Sequence, residues 1–270
     1  MKATKRRLGD FFVLLGLVAV LVLASYLPPD TSRTDLQRLG VIWACVPTDY
    51  PPLVTSDADA PGIDIELLRA VADELGLRLA LNRISSMGRD FNPRNWGVTR
   101  ARCQLLAGGV VDSPSTRTFL ATSSPYLSTG WAMLVPEGFD SLQGKTVGFY
   151  SGTTGLDRIA LSRYLRQEGA LPITVGSTSE LVSRIETGEF GAVVSEALMV
   201  RQLAAEIGWN AHWLPETLGR YPLALGLWKG DLTLKRSVEN AIERIERSGR
   251  LAAILAKYDL VPISEAVSER

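Results

Sequence analysis

The chain has 270 residues, of which 46% are hydrophobic and 21% are charged, and its formal net charge is zero. This composition is typical of a globular protein of one large or two modest domains, and the lack of a basic field argues against a nucleic-acid-binding protein. His212 is the only histidine, which excludes a multi-histidine metal site and restricts any Ser-His-Asp triad to that position. The sequence has no GxGxxG or Walker-type loop, and we expect neither metal nor cofactor.

The N-terminus has the pattern of a targeting segment. Basic residues at positions 2 and 5–7 precede an uncharged apolar run over residues 11–27. As a helix this run would reach roughly 25 Å, just short of a bilayer core. Residues 1–29 are therefore predicted to be an export signal or an uncleaved membrane anchor. Either version makes membrane contact through this segment and places the remainder in the periplasm or on the outer face of the cytoplasmic membrane.

Strands and helices alternate along the rest of the chain, as periodicity and turn residues indicate. The first half contains strands at 41–46, 77–84, 104–111 and 131–135, and a helix from about 62 to 75. The second half contains strands at 147–150, 173–175, 191–196, 213–214 and 221–227, and helices at 156–168, 179–187, 197–207 and 232–258, the last broken at Gly249. This alternation predicts an α/β fold with parallel-rich sheets.

A turn of small residues follows the strand at 147–150. Ser151, Thr153 and Thr154 lie there with two glycines, just before a predicted helix. Glycines permit close backbone approach, and N–H groups at a helix start attract anions. The turn is either a socket for a carboxylate or an ordinary helix cap.

Polar residues recur directly after predicted strands. They are Tyr50, Asp112, Arg117, Ser151 and Glu196. Ligands of open α/β sheets bind outside the carboxyl ends of strands, so we expect a ligand cleft between two lobes. Lobe 1 is predicted to comprise residues 38–135 and 223–270, and lobe 2 residues 136–222.

Cys45 and Cys103 are the only cysteines, and each lies in or beside a predicted strand. Outside the cytoplasm two cysteines can pair, so a disulfide between neighbouring strands is predicted. Two separate buried thiols are the alternative.

Several segments together resemble the bacterial extracellular solute-binding proteins of family 3. The segments are Tyr50-Pro51-Pro52, Gly62 to Leu67, Ala107-Gly108 with Arg117 and Ser124-Pro125-Tyr126, Val147 to Gly155, and Leu181 through Gly188 to Glu196. The resemblance covers residues 41–258 and implies a two-lobe periplasmic-binding-protein-like (type II) fold. It also implies a non-enzymatic receptor for an amino acid or a related small carboxylate, which serves an ABC-type transporter permease.

The resemblance also implies roles for individual residues. Arg117 would hold the ligand carboxylate as a bidentate fork, and Ser151, Thr153 and Thr154 would bind it from the other lobe. Glu196 stands where the family usually has Asp and would take the ligand ammonium, while Tyr50 would cover the ligand side chain. Asp112 stands where the family often has Ser or Thr, and the segment 109–126 is about two residues longer than is usual in the family.

Two other functions remain open on the sequence. One is a membrane-tethered accessory or sensory protein. The loop at 85–102 and the two cysteines resemble those of a subgroup of the family that is associated with quinoprotein dehydrogenases. The other is an enzyme similar to cyclohexadienyl dehydratase, in which a desolvated Glu196 would act as a general acid.

Overall fold

A computed structural model describes residues 13–20, 22, 29–87, 93–150 and 156–260. Residues 13–20 are helical, and the large apolar side chains among them are at least half exposed. Within the described ranges, no helix is both long and apolar enough to cross a membrane. The export signal or anchor over residues 1–29 stays a prediction.

Lobe 1, as the structure has it, is built on a five-stranded sheet in the order β2-β1-β3-β11-β4. Its strands are β1 (Val41–Pro47), β2 (Arg78–Ile84), β3 (Leu105–Leu106), β4 (Leu120–Thr122) and β11 (Gly226–Trp228). Its helices are α1 (Ser32–Leu39), α2 (Ile63–Leu75), α3 (Pro114–Arg117), α7 (Leu232–Arg247) and α8 (Arg250–Ala256). β1 runs parallel to β2 and β3, whereas β11 is antiparallel to β3 and β4.

Lobe 2 is built on a second sheet, in the order β10-β5-β8-β6-β7, with β9 also paired to β5. Its strands are β5 (Leu127–Val135), β6 (Thr146–Phe149), β7 (Leu171–Thr174), β8 (Ala192–Glu196), β9 (Asn210–Trp213) and β10 (Arg220–Leu223). Its helices are α4 (Arg158–Gln167), α5 (Thr178–Glu186) and α6 (Ala197–Ile207). β6 is parallel to β7 and β8, and β5 is antiparallel to β8, β9 and β10.

The helices form where the sequence places apolar residues at three- and four-residue steps. In α7 the buried residues are Leu234, Val238, Ala241, Ile242 and Ile245, which form one stripe that packs on lobe 1. α2 ends at Gly76, whose φ of 67° gives the left-handed C-cap that glycine adopts without strain. The α/β class predicted from the sequence is confirmed.

The chain crosses between the two sheets twice. Residues 123–126 lead from β4 into β5, and residues 224–225 lead from β10 back into β11. The predicted division assigned residues 127–135 to lobe 1, whereas the hydrogen bonds of β5 place this strand in the second sheet. The two crossings therefore lie at the lobe 1 ends of β5 and β10, which pair with each other over Leu127–Gly130.

One predicted strand, at 104–111, is much shorter in the structure. Its β-ladder covers only Leu105–Leu106, because Gly108 and Gly109 follow with φ of 101° and 81°. Backbone in this region cannot continue a strand. A Cβ on Gly108 would come within 2.2 Å of Pro47 Cδ, so glycine is required where this turn passes the end of β1.

Candidate functional site: a buried contact between the lobes

Tyr50 lies in the loop that follows β1. Its backbone pairs with Val54 as an isolated bridge, and its side chain is 1% exposed. The loop brings the phenol to the boundary between the lobes, where Tyr50 OH donates to Glu196 Oε2 at 3.4 Å. The structure therefore brings together two of the predicted site residues that are 146 positions apart in the sequence.

Glu196 is the last residue of β8 and the N-cap of α6. Its Oε1 accepts a hydrogen bond from Leu198 N at 3.0 Å, and its Oε2 accepts one from Met199 N at 3.2 Å. The side chain is fully buried, and this burial raises the pKa of its carboxyl to about 7 despite the hydrogen bonds that favour the ionised form. Glu196 is thus a buried acid that changes charge near neutral pH.

A cavity of about 770 Å³ adjoins this contact and is lined by both lobes. Pro51 and Pro52 contribute from the loop after Tyr50, and Leu198, Arg201 and Gln202 contribute from the helix that Glu196 caps. The lobes are therefore separated by open space beside the place where Tyr50 and Glu196 meet.

Asp112 and Arg117 form a different pair, entirely within lobe 1. Arg117 Nε donates to Asp112 Oδ1 at 2.6 Å, and Arg117 Nη2 donates to Oδ2 at 2.5 Å. Thr122 Oγ1 donates to Oδ1 at 2.7 Å. The Arg117 side chain is 62% exposed and that of Asp112 only 6%. The Arg117 guanidinium holds the pKa of the Asp112 carboxyl below its usual range.

These two residues line a surface cavity of about 440 Å³ whose walls come from residues 112–125 and 229–239. All of these residues belong to lobe 1 or to the crossing that leaves it. The structure thus brings Arg117 together with Asp112, and it does not bring either of them to Tyr50 or Glu196.

Ser151, Thr153 and Thr154 lie outside the described residues, but both flanks of their turn are described. Tyr150, just after β6, accepts a hydrogen bond at its carbonyl from Ser195 Oγ at 2.8 Å. On the other side, Asp157 caps α4 through Ala160 N at 2.9 Å and accepts at its carbonyl from Trp131 Nε1 at 3.2 Å. Both flanks are therefore anchored to strands next to Glu196.

Asp64 is a functional candidate that the sequence analysis treated only as part of a helix start. It is fully buried, and its Oδ2 accepts hydrogen bonds from Gly108 N at 2.5 Å and Gly109 N at 3.1 Å. Its Oδ1 accepts one from Tyr126 OH at 2.5 Å. Burial raises the pKa of Asp64, against these three bonds. The signal that could have found it is an acid at an otherwise apolar helix position.

The structure joins Cys45 and Cys103 by a disulfide. The bond links the middle of β1 to the segment that precedes β3, and it lies in a small apolar cluster with Met87 and Trp96. This cluster anchors the loop after β2 to β1 and β3, two inner strands of the lobe 1 sheet.

Comparison with known proteins finds the family that the sequence resembles, and the match covers almost the whole chain after the N-terminal segment. The family model of the bacterial extracellular solute-binding proteins, family 3, matches residues 42–260. The L-cystine-binding protein TcyJ of Escherichia coli (strain K12) is 22% identical over 265 residues, which cover 91% of this chain and 94% of TcyJ. A probable histidine-binding protein of Neisseria gonorrhoeae is 22% identical over 227 residues, which cover 78% of this chain and 80% of that protein.

A solved structure shares the fold. It is the amino acid ABC transporter substrate-binding protein AbpA from Streptococcus pneumoniae bound to L-arginine, with a TM-score of 0.66 and 20% identity. The match covers 83% of this chain and 97% of AbpA. The predicted two-lobe type II architecture is thereby confirmed.

Proposed function

This chain belongs to the bacterial extracellular solute-binding proteins of family 3, and we propose that it is a non-enzymatic receptor that closes its two lobes around an amino acid. The observation that carries the proposal is the contact of Tyr50 OH with Glu196 Oε2. Tyr50 follows the carboxyl end of β1 and Glu196 is the last residue of β8. Ligands of α/β sheets bind at such carboxyl ends. The relatives named for cystine, histidine and arginine binding support an amino acid as the ligand.

The proposed partner of the ligand ammonium is Glu196. A buried carboxylate is costly unless a cation pairs with it. Within the described residues, Glu196 accepts hydrogen bonds from a phenol and two backbone N–H groups, which are all neutral donors. A ligand ammonium supplies the missing charge and favours the ionised form of the acid. The aromatic ring of Tyr50 then covers the ligand from lobe 1.

The proposed partners of the ligand carboxylate are the turn with Ser151, Thr153 and Thr154 in lobe 2, and Arg117 in lobe 1. Arg117 now holds Asp112 with the same fork that it would present to a carboxylate. Because the guanidinium is well exposed, exchange of one carboxylate for another costs little. Binding would then draw Arg117 away from Asp112 toward the cleft.

Closure follows from the ligand's contacts with both lobes. A ligand shifts an open–closed equilibrium only by its preference for the closed form, and charges taken from opposite lobes give that preference. A hinge motion would occur at the lobe 1 ends of β5 and β10, where the two crossings join these strands.

We further propose delivery of the ligand to an ABC-type permease in the cytoplasmic membrane. The relative AbpA is described as an amino acid ABC transporter substrate-binding protein, which supports this role. Residues 1–29 would export the chain to the periplasm or tether it to the outer face of the membrane.

The test is a binding screen of the full-length chain, which is expressed in a bacterium and purified from whichever of the periplasmic and membrane fractions contains it. Thermal shift and calorimetry with the common amino acids, including L-cystine, L-histidine and L-arginine, should give one clear hit. A ligand at a hundred times its Kd adds about 2.7 kcal/mol of stability. The ligand should be recovered chemically unchanged. No hit across the panel would contradict the proposal.

The arginine assignment is tested with the amino acid that the screen identifies. Arg117→Ala should abolish measurable binding, and Arg236→Ala, an exposed arginine on α7, should leave it unchanged. Full affinity in the Arg117→Ala protein would remove Arg117 from the site and leave Glu196 in place.

A further inference from the structure

Thr129 carries a buried hydroxyl in the strand that joins the two lobes. The residue is fully buried in β5, and within the described part of the chain its Oγ1 makes no hydrogen bond. Burying a hydroxyl without a hydrogen bond costs free energy, and native proteins satisfy the great majority of such groups. The hydroxyl of Thr129 therefore does not stabilise the fold, and its presence at this position calls for another explanation.

The strand register places Thr129 beside Glu196. Trp131 is directly opposite Glu196 in the antiparallel ladder of β5 and β8, so these two side chains lie on one face of the sheet. Thr129 precedes Trp131 by two residues and shares that face. Such diagonal neighbours in a sheet are about 7–8 Å apart. The ladder with β8 ends at this pair, so Thr129 lies just beyond the end of β8, where the two lobes meet.

The polar groups nearest in the register already have partners. The Tyr50 hydroxyl donates to Glu196, and Trp131 Nε1 donates to the carbonyl of Asp157. The hydroxyl of Thr129 can accept two hydrogen bonds and donate one. An ammonium has three donors and no acceptor, so one carboxylate cannot satisfy it alone in a site without water.

We propose that Thr129 is a ligand-binding residue whose hydroxyl accepts a hydrogen bond from the ligand ammonium beside Glu196. This inference rests on the proposed amino-acid receptor function and adds a ligand contact from β5. The ammonium then lies among the ring of Tyr50, the carboxylate of Glu196 and the hydroxyl of Thr129. The Thr129 hydroxyl, which makes no hydrogen bond within the described residues, is the proposed acceptor for the ligand ammonium.

The test compares Thr129→Val, which keeps the shape and removes the hydroxyl, with Thr129→Ser, which keeps the hydroxyl. Melting temperature of the unliganded full-length protein and affinity for L-cystine, L-histidine and L-arginine are measured on each. Thr122→Val is the matched control for stability, because the Thr122 hydroxyl is engaged with Asp112. It should lower the melting temperature.

The two readouts should move in opposite directions for Thr129→Val. Its melting temperature should rise, because an unsatisfied polar group is removed, while its affinity for whichever amino acid the wild type binds should fall about tenfold. Thr129→Ser should restore affinity to near the wild-type value.

Wild-type affinity in Thr129→Val, or a lower melting temperature with unchanged affinity, would overturn the inference and leave the receptor function standing. Failure of the wild type to bind any of the three amino acids would instead contradict the receptor function for this panel, and the role of Thr129 would fall with it.

Discussion

Two acidic side chains of this molecule have opposite surroundings. Glu196 is buried between the lobes and is held by a phenol and two backbone N–H groups. Asp112 lies near the surface of lobe 1 and is held by the guanidinium of Arg117 and a hydroxyl. Their pKa values move in opposite directions, up for Glu196 through burial and down for Asp112 through its arginine.

The difference indicates which acid can respond to a ligand. Asp112 is already paired with the guanidinium of Arg117, which lowers its pKa and favours its ionised form. An added cation would therefore change its charge state little. Among the described residues Glu196 is held by neutral donors only, and its pKa is about 7, so an added cation both ionises it and pairs with it. Of the two, the buried acid is the one whose state a bound ammonium would change most.

The largest expected effect comes from removing the charge of the buried acid. Glu196→Gln keeps the shape but loses the negative charge and one of the two oxygens that cap α6. We expect affinity for the amino acid to fall about a hundredfold. Calorimetry with the ligand found in the screen measures this. Glu243→Gln, on an exposed face of α7, is the matched control and should bind normally. Equal affinities in the two variants would show that Glu196 is only a helix cap.

The pH dependence of stability sharpens the same contrast. The folded pKa of Glu196 is about 7, above the reference value of 4.5, so the folded state binds its proton more tightly than the unfolded state. Its contribution is therefore fully present below pH 4.5, declines as the pH rises toward 7, and is constant above that. We expect a loss of about 3 kcal/mol across this window.

Chemical denaturation of the unliganded protein at a series of pH values measures this slope. The Glu196→Gln variant should lack this component of the slope, because the amide does not titrate. Ligand affinity should change in the opposite sense and rise with pH through the same window, since the ammonium pairs with the ionised acid. Identical slopes in the wild type and the variant would contradict the raised pKa.

The smallest effect is expected at the exposed pair. Asp112→Asn removes the charge that holds Arg117, yet stability should change by less than about 1 kcal/mol because the guanidinium is largely in solvent. If Arg117 takes the ligand carboxylate, this variant frees it in advance, and affinity should rise several-fold. Thermal melts and calorimetry measure the two quantities. A fall in affinity would indicate that Asp112 positions Arg117 for the ligand.

The regular part of the fold was accessible from the sequence because periodicity is a local property. The strand predicted at 191–196 is β8 (Ala192–Glu196), and the helix predicted to end before Gly76 is α2 (Ile63–Leu75). The overlong strand at 104–111 fails for a nonlocal reason. The two glycines turn there to meet Asp64, which lies more than forty positions earlier.

The site was accessible only in part. Position after a strand selected Tyr50 and Glu196, which contact each other in the structure. Their role in binding stays a prediction, and their contact depends on how two sheets meet, which no local pattern encodes. Arg117 pairs with Asp112, which is only five positions earlier in the sequence. This pairing competes with the carboxylate-binding role that the family resemblance implies for Arg117. The proposed site residue Thr129 could not be selected from the sequence, because a threonine in a strand gives no sign of whether its hydroxyl has a partner.

The three hydrogen bonds of Asp64 have a mechanical consequence. One carboxylate fixes both the turn at Gly108-Gly109 and the phenol of Tyr126, the last residue before β5. The turn and the entrance to the crossing strand must therefore move as one rigid block with lobe 1. In the proposed closure, bending is thereby confined to the stretch just after Tyr126, where Gly130 lies in the part of β5 paired with β10. In the proposed closure, Asp64 thus sets the point about which lobe 2 turns, and with it the distance that a residue of lobe 2 travels.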